Sequence, residues 1–134
     1  HHHQKSSNPI TMMTFTAPEP QNSGIVELDN NQTVVNFYEK PTKPMSDVAN
    51  AAVYVFEHQV FDWVSKNTWA KDISLDLLPN FLGKISAWHN SDIHRDIGTI
   101  QQLRAAQFDK PSQKVKNPDD WQCNFSSHPI HNLI

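Results

Sequence analysis

A glutamate and a lysine stand side by side, directly before a proline, in the stretch NFYEKPTKP from Asn36 to Pro44. A lysine ammonium binds phosphate and a carboxylate accepts hydrogen bonds from hydroxyl groups, so Glu39 and Lys40 suit a sugar-phosphate pocket. Pro41 predicts an extended backbone at Lys40. Side chains alternate along an extended chain, so the two groups would point to opposite sides unless the backbone turns. The alternative is a solvated strand end before a proline turn.

Several other kinds of site are excluded by the residue types. The chain has three glycines, no two of them close, so it has no glycine-rich phosphate loop: Gly24, Gly83 and Gly98. Cys123 is the single cysteine, which excludes an internal disulfide and a cysteine metal cluster. His89 and His94 lie near Asp96 in the sequence, but imidazole is a poor ligand for Mg²⁺.

Length and charge bound the class of protein. The chain has 134 residues, 37% of them hydrophobic, which predicts one compact domain with a modest core. The net charge of −3 with mixed signs gives no basic face for nucleic acid or an anionic membrane. No apolar run approaches the roughly 20 residues of a membrane span, and no signal peptide is evident. We therefore expect a cytoplasmic protein that binds neither nucleic acid nor membranes.

The elements that must position Glu39 and Lys40 follow from periodicity and turn residues. A short strand is predicted over residues 11–17, and alternating apolar residues predict a hairpin of 24–29 with 33–38. Residues 50–56 are apolar on both faces, which predicts a central strand. Helical spacing predicts a helix over 58–67 and another over 74–83, with Ser74 as N-cap and a kink or division at Pro79. A strand over 84–90 and a helix from Thr99, with Gln102 in a capping box, complete an α/β pattern.

Four motifs occur in an order that resembles the C-terminal half of the sugar-1-phosphate nucleotidyltransferases: FYEKPTKP, ANAAVYVF, DISLDLLP and HRDIGT. The resemblance covers about residues 7–107, and the order is shared by the mannose-1-phosphate and heptose-1-phosphate guanylyltransferases and by the glucose-1-phosphate thymidylyl- and uridylyltransferases. Among these we expect the guanylyl-type branch. It implies part of a Rossmann-like mixed sheet with flanking helices. The implied reaction joins a sugar 1-phosphate and a nucleoside triphosphate, with GTP favoured, to give nucleotide-sugar and pyrophosphate. The implied cofactor is Mg²⁺.

Residue roles follow from the resemblance, position by position. Lys40 resembles the lysine that holds the sugar phosphate, and is our candidate for a catalytic residue. Glu39 resembles the glutamate that accepts the sugar hydroxyls. Gly24 and Asn50 resemble the glycine and asparagine that face the sugar. Asp96 resembles the second of two aspartates that bind Mg²⁺, a hard cation that carboxylates and substrate phosphates hold.

Each of these residues also has a plain structural alternative. Asp96 would begin the turn into the helix at Thr99, Gly24 would be a turn glycine, and Asn50 would be a turn or strand-start residue. Ala52 departs from the resemblance, because it stands where glycine is common.

The chain lacks the family's N-terminal glycine-rich signature, so we expect a sheet that is incomplete without an N-terminal half. The expected division is a tag or upstream remnant at 1–6, the C-terminal part of the nucleotidyltransferase domain at 7–108, and an irregular tail at 109–134. Such a part is expected not to turn over alone. An open central strand predicts either a homo-oligomer or a tail packed across the gap. The rival hypothesis is a non-catalytic interaction or regulatory module that retains the fold.

Overall fold

The computed structural model of the chain describes residues 1–110, which fall into two compact units, residues 1–94 and a unit that begins at Arg95. The first unit contains five strands: β1 (Ile10–Thr16), β2 (Gly24–Leu28), β3 (Val34–Glu39), β4 (Val48–Phe56) and β5 (Ile85–His89). They form one mixed sheet in the order β3-β2-β4-β1-β5. β1 and β5 are parallel, and the remaining pairs are antiparallel. The predicted α/β class and the central position of β4 are confirmed.

The helices flank this sheet or belong to the second unit: α1 (His2–Lys5), α2 (His58–Lys66) and α3 (Ile100–Ala106). α2 agrees with the predicted helix, and its apolar stripe buries Val60 to 1% exposure. α3 begins after Thr99, whose hydroxyl accepts the backbone N–H of Gln102 at 3.2 Å. In a capping box the Gln102 side chain would accept the backbone N–H of Thr99, but here it accepts a hydrogen bond from the Thr99 hydroxyl. Only the bond from the Gln102 N–H to Thr99 is therefore as predicted.

The predicted helix over residues 74–83 is wrong in its type and in its cap. The chain forms a π-helical turn at Ile73–Leu77 and a 3₁₀ turn at Leu78–Phe81. Asp72 rather than Ser74 is the N-cap, because its carboxylate accepts the backbone N–H of Leu75 at 2.8 Å. The division follows from Pro79, which cannot donate a backbone hydrogen bond and ends regular helix, as predicted.

The main core lies where β1, β5 and the hairpin face α2 and the two short turns. Its buried members include Ile10, Met12, Leu78 and Ile85, each 0% exposed. A smaller cluster of Ala17, Ile25 and Ala49 lies beside Phe15. The two clusters include residues of β2, β3 and β4, the strands that carry Gly24, Glu39 and Asn50.

β4 is less covered than its apolar sequence predicts. Val53 and Val55 are 50% and 48% exposed. This open surface is compatible with the predicted homo-oligomer, which stays a prediction. Within residues 1–110, no helix is long and apolar enough to cross a membrane. Most of the predicted tail, residues 111–134, lies outside the described residues.

Candidate functional site

Three of the predicted residues lie at one end of the sheet. Gly24 at the start of β2 pairs with Glu39 at the end of β3. The next residue of β2, Ile25, pairs with Ala49 of β4, which precedes Asn50. The strand register therefore brings Gly24, Glu39 and Asn50 to a common edge, although 26 positions separate the first from the last in the sequence.

The same edge continues to the carboxyl ends of the parallel strands. Asn50 pairs with Thr14 of β1, and Thr14 pairs with His89 of β5. A cavity of about 250 Å³ is lined by the ends of both strands and by the loop that follows β5, and none of Gly24, Glu39, Lys40 and Asn50 lines it. In open α/β sheets, ligands bind in crevices at the carboxyl ends of strands. Larger cavities of about 340 and 450 Å³ also have none of these four residues in their linings, so we do not assign the site to either.

Lys40 is not extended, which corrects the prediction made from Pro41. Its φ is 46°, and its backbone N–H donates to the carbonyl of Ser23 at 3.2 Å. The turn brings the Lys40 Nζ to 3.9 Å from the Glu39 Oε1, so the two groups lie together instead of on opposite sides. The Lys40 side chain is 67% exposed, and an exposed ion pair contributes little to stability.

The positive φ at Lys40 has an energetic cost. A residue with a Cβ pays roughly 1–2 kcal/mol for left-handed backbone, and such residues cluster at ligand sites. Among residues 1–110, three residues other than glycine have a positive φ: Gln32, Lys40 and Ala52. Gln32 lies in the hairpin turn, whereas Lys40 and Ala52 lie in the two motifs that carry the predicted sugar-facing residues.

Gly24 is the first residue of strand β2, so it is not the turn glycine of the structural alternative. A Cβ placed on Gly24 would lie 2.7 Å from the Phe37 ring and 3.1 Å from the Glu39 Oε2. The missing side chain thus makes room for Phe37 and leaves the Glu39 carboxylate close to the backbone of β2. A packing requirement alone explains why glycine is suitable here.

Asn50 lies within β4, and its side-chain amide is engaged on both sides. Its Oδ1 accepts the backbone N–H of Ala52 at 2.9 Å, and its Nδ2 donates to the Tyr54 hydroxyl at 2.6 Å. Ala52 has a φ of 56°, a conformation that glycine adopts without strain. The departure from glycine at this position is therefore a strained residue rather than a neutral replacement.

Tyr54 is a member of the site that the sequence analysis missed. Burial raises the pKa of its hydroxyl, and the charges of Asp72 and Glu39 raise it further, while hydrogen bonds from Asn50 and Ser74 lower it. The Tyr54 hydroxyl accepts the Asn50 amide at 2.6 Å, and the Tyr54 side chain packs against the main core. The sequence signal was available in the spacing of Asn50 and Tyr54, but only a bulged strand turns that spacing into a contact.

The histidines of the same edge make local contacts. His89 Nδ1 lies 3.3 Å from the Thr14 hydroxyl, and the His94 ring centroid lies 4.4 Å from that of Phe15. Within residues 1–110, no three histidine, cysteine or carboxylate side chains come together as a metal site.

Comparison with known proteins decides the family. Residues 1–113 match the family model described as nucleotidyl transferase. The chain belongs to the nucleotidyl transferase family. A glucose-1-phosphate adenylyltransferase from Clostridium acetobutylicum is 31% identical to this nucleotidyl transferase chain, over 80% of the chain and 31% of the relative. One from Halalkalibacterium halodurans is 27% identical, over 90% of the chain and 35% of the relative.

A solved structure supports the same fold. The putative glucose-1-phosphate thymidylyltransferase from Bacillus anthracis, solved with a sucrose, superposes with a TM-score of 0.67 at 20% identity. The match covers 78% of this chain and 44% of that one. The nucleotidyl transferase chain therefore spans about a third of the length of these two curated relatives and under half of the solved one.

Asp96 belongs to the second unit of this nucleotidyl transferase chain and is exposed. One carboxylate oxygen accepts the backbone N–H of Gly98 at 2.9 Å, which forms the turn that the structural alternative predicts. The neighbouring Arg95 is held by two hydrogen bonds to Asp109, of 2.6 and 2.7 Å. An exposed carboxylate fixed by a turn suits Mg²⁺, which takes one or two protein carboxylates besides substrate phosphates. The turn and the metal role are thus compatible.

Proposed function

We propose that this chain is the sugar-phosphate-binding and metal-contributing part of an enzyme that transfers a nucleotidyl group to a sugar 1-phosphate. Membership of the nucleotidyl transferase family supports the class of reaction. The observation that carries the site is the strained turn at Lys40, which holds its ammonium 3.9 Å from the Glu39 carboxylate at the sheet edge shared with Asn50. Strained backbone conformations persist only where the surrounding contacts enforce them, and they cluster at active sites and ligand-binding sites.

The proposed chemistry asks for positioning and charge neutralisation. An oxygen of the sugar 1-phosphate attacks the α-phosphorus of the nucleoside triphosphate, and the bond to the β-phosphate breaks, so pyrophosphate leaves with the electron pair. The second pKa of a phosphate monoester is about 6, so near neutral pH the attacking group is largely ionised and needs no general base. Lys40 would neutralise the phosphate charge, and Glu39 would accept hydrogen bonds from the sugar hydroxyls.

The resemblance also implies Mg²⁺, and Asp96 is the residue of this chain that we propose to hold it. When bound, the ion supplies positive charge to the phosphates as their charge develops. The turn formed with Gly98 would orient the Asp96 carboxylate before the ion arrives.

The sugar and the base are narrower questions. The relatives described above are named for glucose 1-phosphate and for adenylyl or thymidylyl transfer, so they give no support to a mannose- or heptose-1-phosphate guanylyltransferase. The prediction of GTP rests on the order of the motifs alone. We therefore propose glucose 1-phosphate as the first sugar to test, with ATP, dTTP, UTP and GTP compared as donors. The cytoplasmic location stays a prediction.

Pyrophosphate release tests the proposal. It is measured on the full-length enzyme of which this chain is proposed to be a part, called the whole protein below. The assay pairs each of the four nucleotides with glucose 1-phosphate and mannose 1-phosphate in the presence of Mg²⁺. We expect release that depends on both substrates and that falls in Lys40→Ala but not in Lys43→Ala, a control lysine in the same loop. If the folded protein releases no pyrophosphate with any pair, the proposal is wrong and the non-catalytic module takes its place.

A further inference from the structure

Strand β4 contains a bulge beside the candidate site, and an alanine occupies its most constrained position. Tyr54 pairs with Met12 of β1. Asn50 pairs with Thr14, so the three β4 residues between these pairs lie opposite a single residue of β1. Ala52, the middle residue of the three, has a φ of 56°. Because a Cβ disfavours this conformation, contacts elsewhere must hold Ala52 in it.

The side chains of Asn50 and Tyr54 supply those contacts. Asn50 Oδ1 accepts the backbone N–H of Ala52 at 2.9 Å, which fixes the backbone inside the bulge. Asn50 Nδ2 donates to the Tyr54 hydroxyl at 2.6 Å, which closes the loop from one end of the bulge to the other. The side-chain amide of Asn50, the residue before the bulge, therefore links the strained Ala52 to Tyr54, the residue after the bulge.

Tyr54 is itself held in place from outside the bulge. Its ring stacks on Phe56, with centroids 5.5 Å apart and planes inclined by 11°, and it packs against the main core. The charge of Asp72, the N-cap of the π-helical turn, also raises the pKa of the Tyr54 hydroxyl. The hydroxyl is thus a fixed anchor, and Asn50 transmits its position to the backbone of β4.

We propose that Asn50 and Tyr54 are positioning residues that clamp β4 in the bulge at Ala52 and thereby set the geometry of the sugar-phosphate site. The effect on the sugar-phosphate site rests on the proposed function, whereas the clamp itself does not. Ala49, which precedes Asn50, pairs with Ile25, and the neighbouring Gly24 pairs with Glu39, so the strand that carries the clamp lies beside the hairpin that carries the group proposed to receive the sugar. Asn50 then acts through the backbone that it holds, because its amide is already engaged with Ala52 and Tyr54.

A double-mutant cycle separates the clamp from direct contact. The variants are Tyr54→Phe, Ala52→Gly and the two combined, with Tyr38→Phe as a matched control, since Tyr38 is the other tyrosine of the chain and donates to Glu27 on β2. Glycine adopts a positive φ without strain, so Ala52→Gly makes the clamp unnecessary while it leaves the Tyr54 position unchanged. Each variant is unfolded in urea and titrated with glucose 1-phosphate.

We expect Tyr54→Phe to lower the folding equilibrium constant about threefold to tenfold, the usual effect of one hydrogen bond, and to weaken glucose 1-phosphate binding by a similar factor. In the Ala52→Gly background both losses should shrink to less than about twofold. Equal losses of folding in both backgrounds would overturn the clamp. Equal losses of binding alone would mean that Tyr54 contacts the ligand directly, which also contradicts a positioning role. If the unsubstituted chain binds no sugar phosphate, the proposed function fails, and the unfolding data still decide the clamp.

Discussion

The Lys40 Nζ lies 3.9 Å from the Glu39 Oε1 because the backbone turns at Lys40 with a φ of 46°. Neighbouring residues of an extended strand point to opposite sides, so this turn is what places the two charged groups on the same side. The hydrogen bond from the Lys40 N–H to Ser23 keeps the end of β3 attached to the chain before β2 while it turns. The charge pair is thus a property of the hairpin as a whole.

Gly24 should not tolerate a side chain. An added Cβ would lie 2.7 Å from the Phe37 ring, so we expect Gly24→Ala to lower the free energy of unfolding by about 1–3 kcal/mol, as overpacking usually does. Urea unfolding measures the change. Phe37→Leu shortens the clashing ring, and in that background Gly24→Ala should cost much less. An equal cost in both backgrounds would show that Phe37 is not the reason for glycine at this position.

Ala52→Gly should stabilise the chain, unlike most substitutions of a strand residue by glycine. Relief of the positive φ should raise the free energy of unfolding by about 1 kcal/mol, net of the backbone entropy that glycine adds to the unfolded chain. The control is Ala51→Gly, one residue earlier, which is buried and has no positive φ. It should lose about 0.5–1 kcal/mol or more. A loss of stability in Ala52→Gly would contradict the strain at this position.

Acid should weaken the turn that carries the Asp72 cap. The backbone N–H groups of Lys71 and Asp72 donate to Asp76 at 2.8 and 3.0 Å, and these bonds lower the pKa of its carboxyl below the ordinary 3.8. A carboxyl whose pKa is lower in the folded state contributes stability that is complete above pH 3.8 and is lost as the pH falls through the folded value. Unfolding free energy should therefore fall less between pH 7 and pH 3 in Asp76→Asn than in the unsubstituted chain.

The control for this pH dependence is Asp47→Asn, which changes an exposed carboxylate elsewhere in the same unit. Its pH dependence should match that of the unsubstituted chain. If Asp76→Asn and Asp47→Asn show the same dependence on pH, then the two hydrogen bonds to Asp76 do not control the acid stability of the turn.

Asp96→Asn should separate the metal role from the turn. An amide oxygen still accepts the Gly98 N–H, so the free energy of unfolding should barely change. Loss of the negative charge should weaken Mg²⁺ binding, so pyrophosphate release by the whole protein should fall at least tenfold at low Mg²⁺ and recover partly at high Mg²⁺. Asp62→Asn, on the exposed surface of α2, is the control. Near-normal rates of Asp96→Asn at low Mg²⁺ would remove Asp96 from the metal site.

The sequence predicted those parts of the fold that local periodicity controls. Alternating apolar residues predicted the hairpin, a run that is apolar on both faces predicted the central position of β4, and Thr99 predicted the start of α3. The backbone at Lys40 was missed because the preference of a residue before proline was outweighed by the pairing of Glu39 with Gly24 and the bond to Ser23.

The cap and the clamp were missed for a related reason. Asp72 and Ser74 both suit an N-cap, and only the π-helical turn decides between them. The contact of Asn50 with Tyr54 depends on the bulge, in which three residues of β4 lie opposite one residue of β1. The two strands are far apart in the sequence, so no local pattern encodes the bulge. The site residues Gly24, Glu39, Lys40 and Asn50 were proposed from resemblance, and their roles toward a ligand stay predictions.

The most direct test of the account is a titration of the chain with glucose 1-phosphate, followed by the chemical shifts of its backbone amides. We predict saturable shifts at the sheet edge around Glu39, Lys40 and Asn50, with much weaker binding of free glucose. Lys40→Ala removes a charge-assisted contact of about 1.5–3 kcal/mol, so its dissociation constant should rise about tenfold to a hundredfold, while Lys43→Ala stays near the unsubstituted value. Equal affinity of Lys40→Ala and the unsubstituted chain, or shifts confined to another surface, would contradict the central claim.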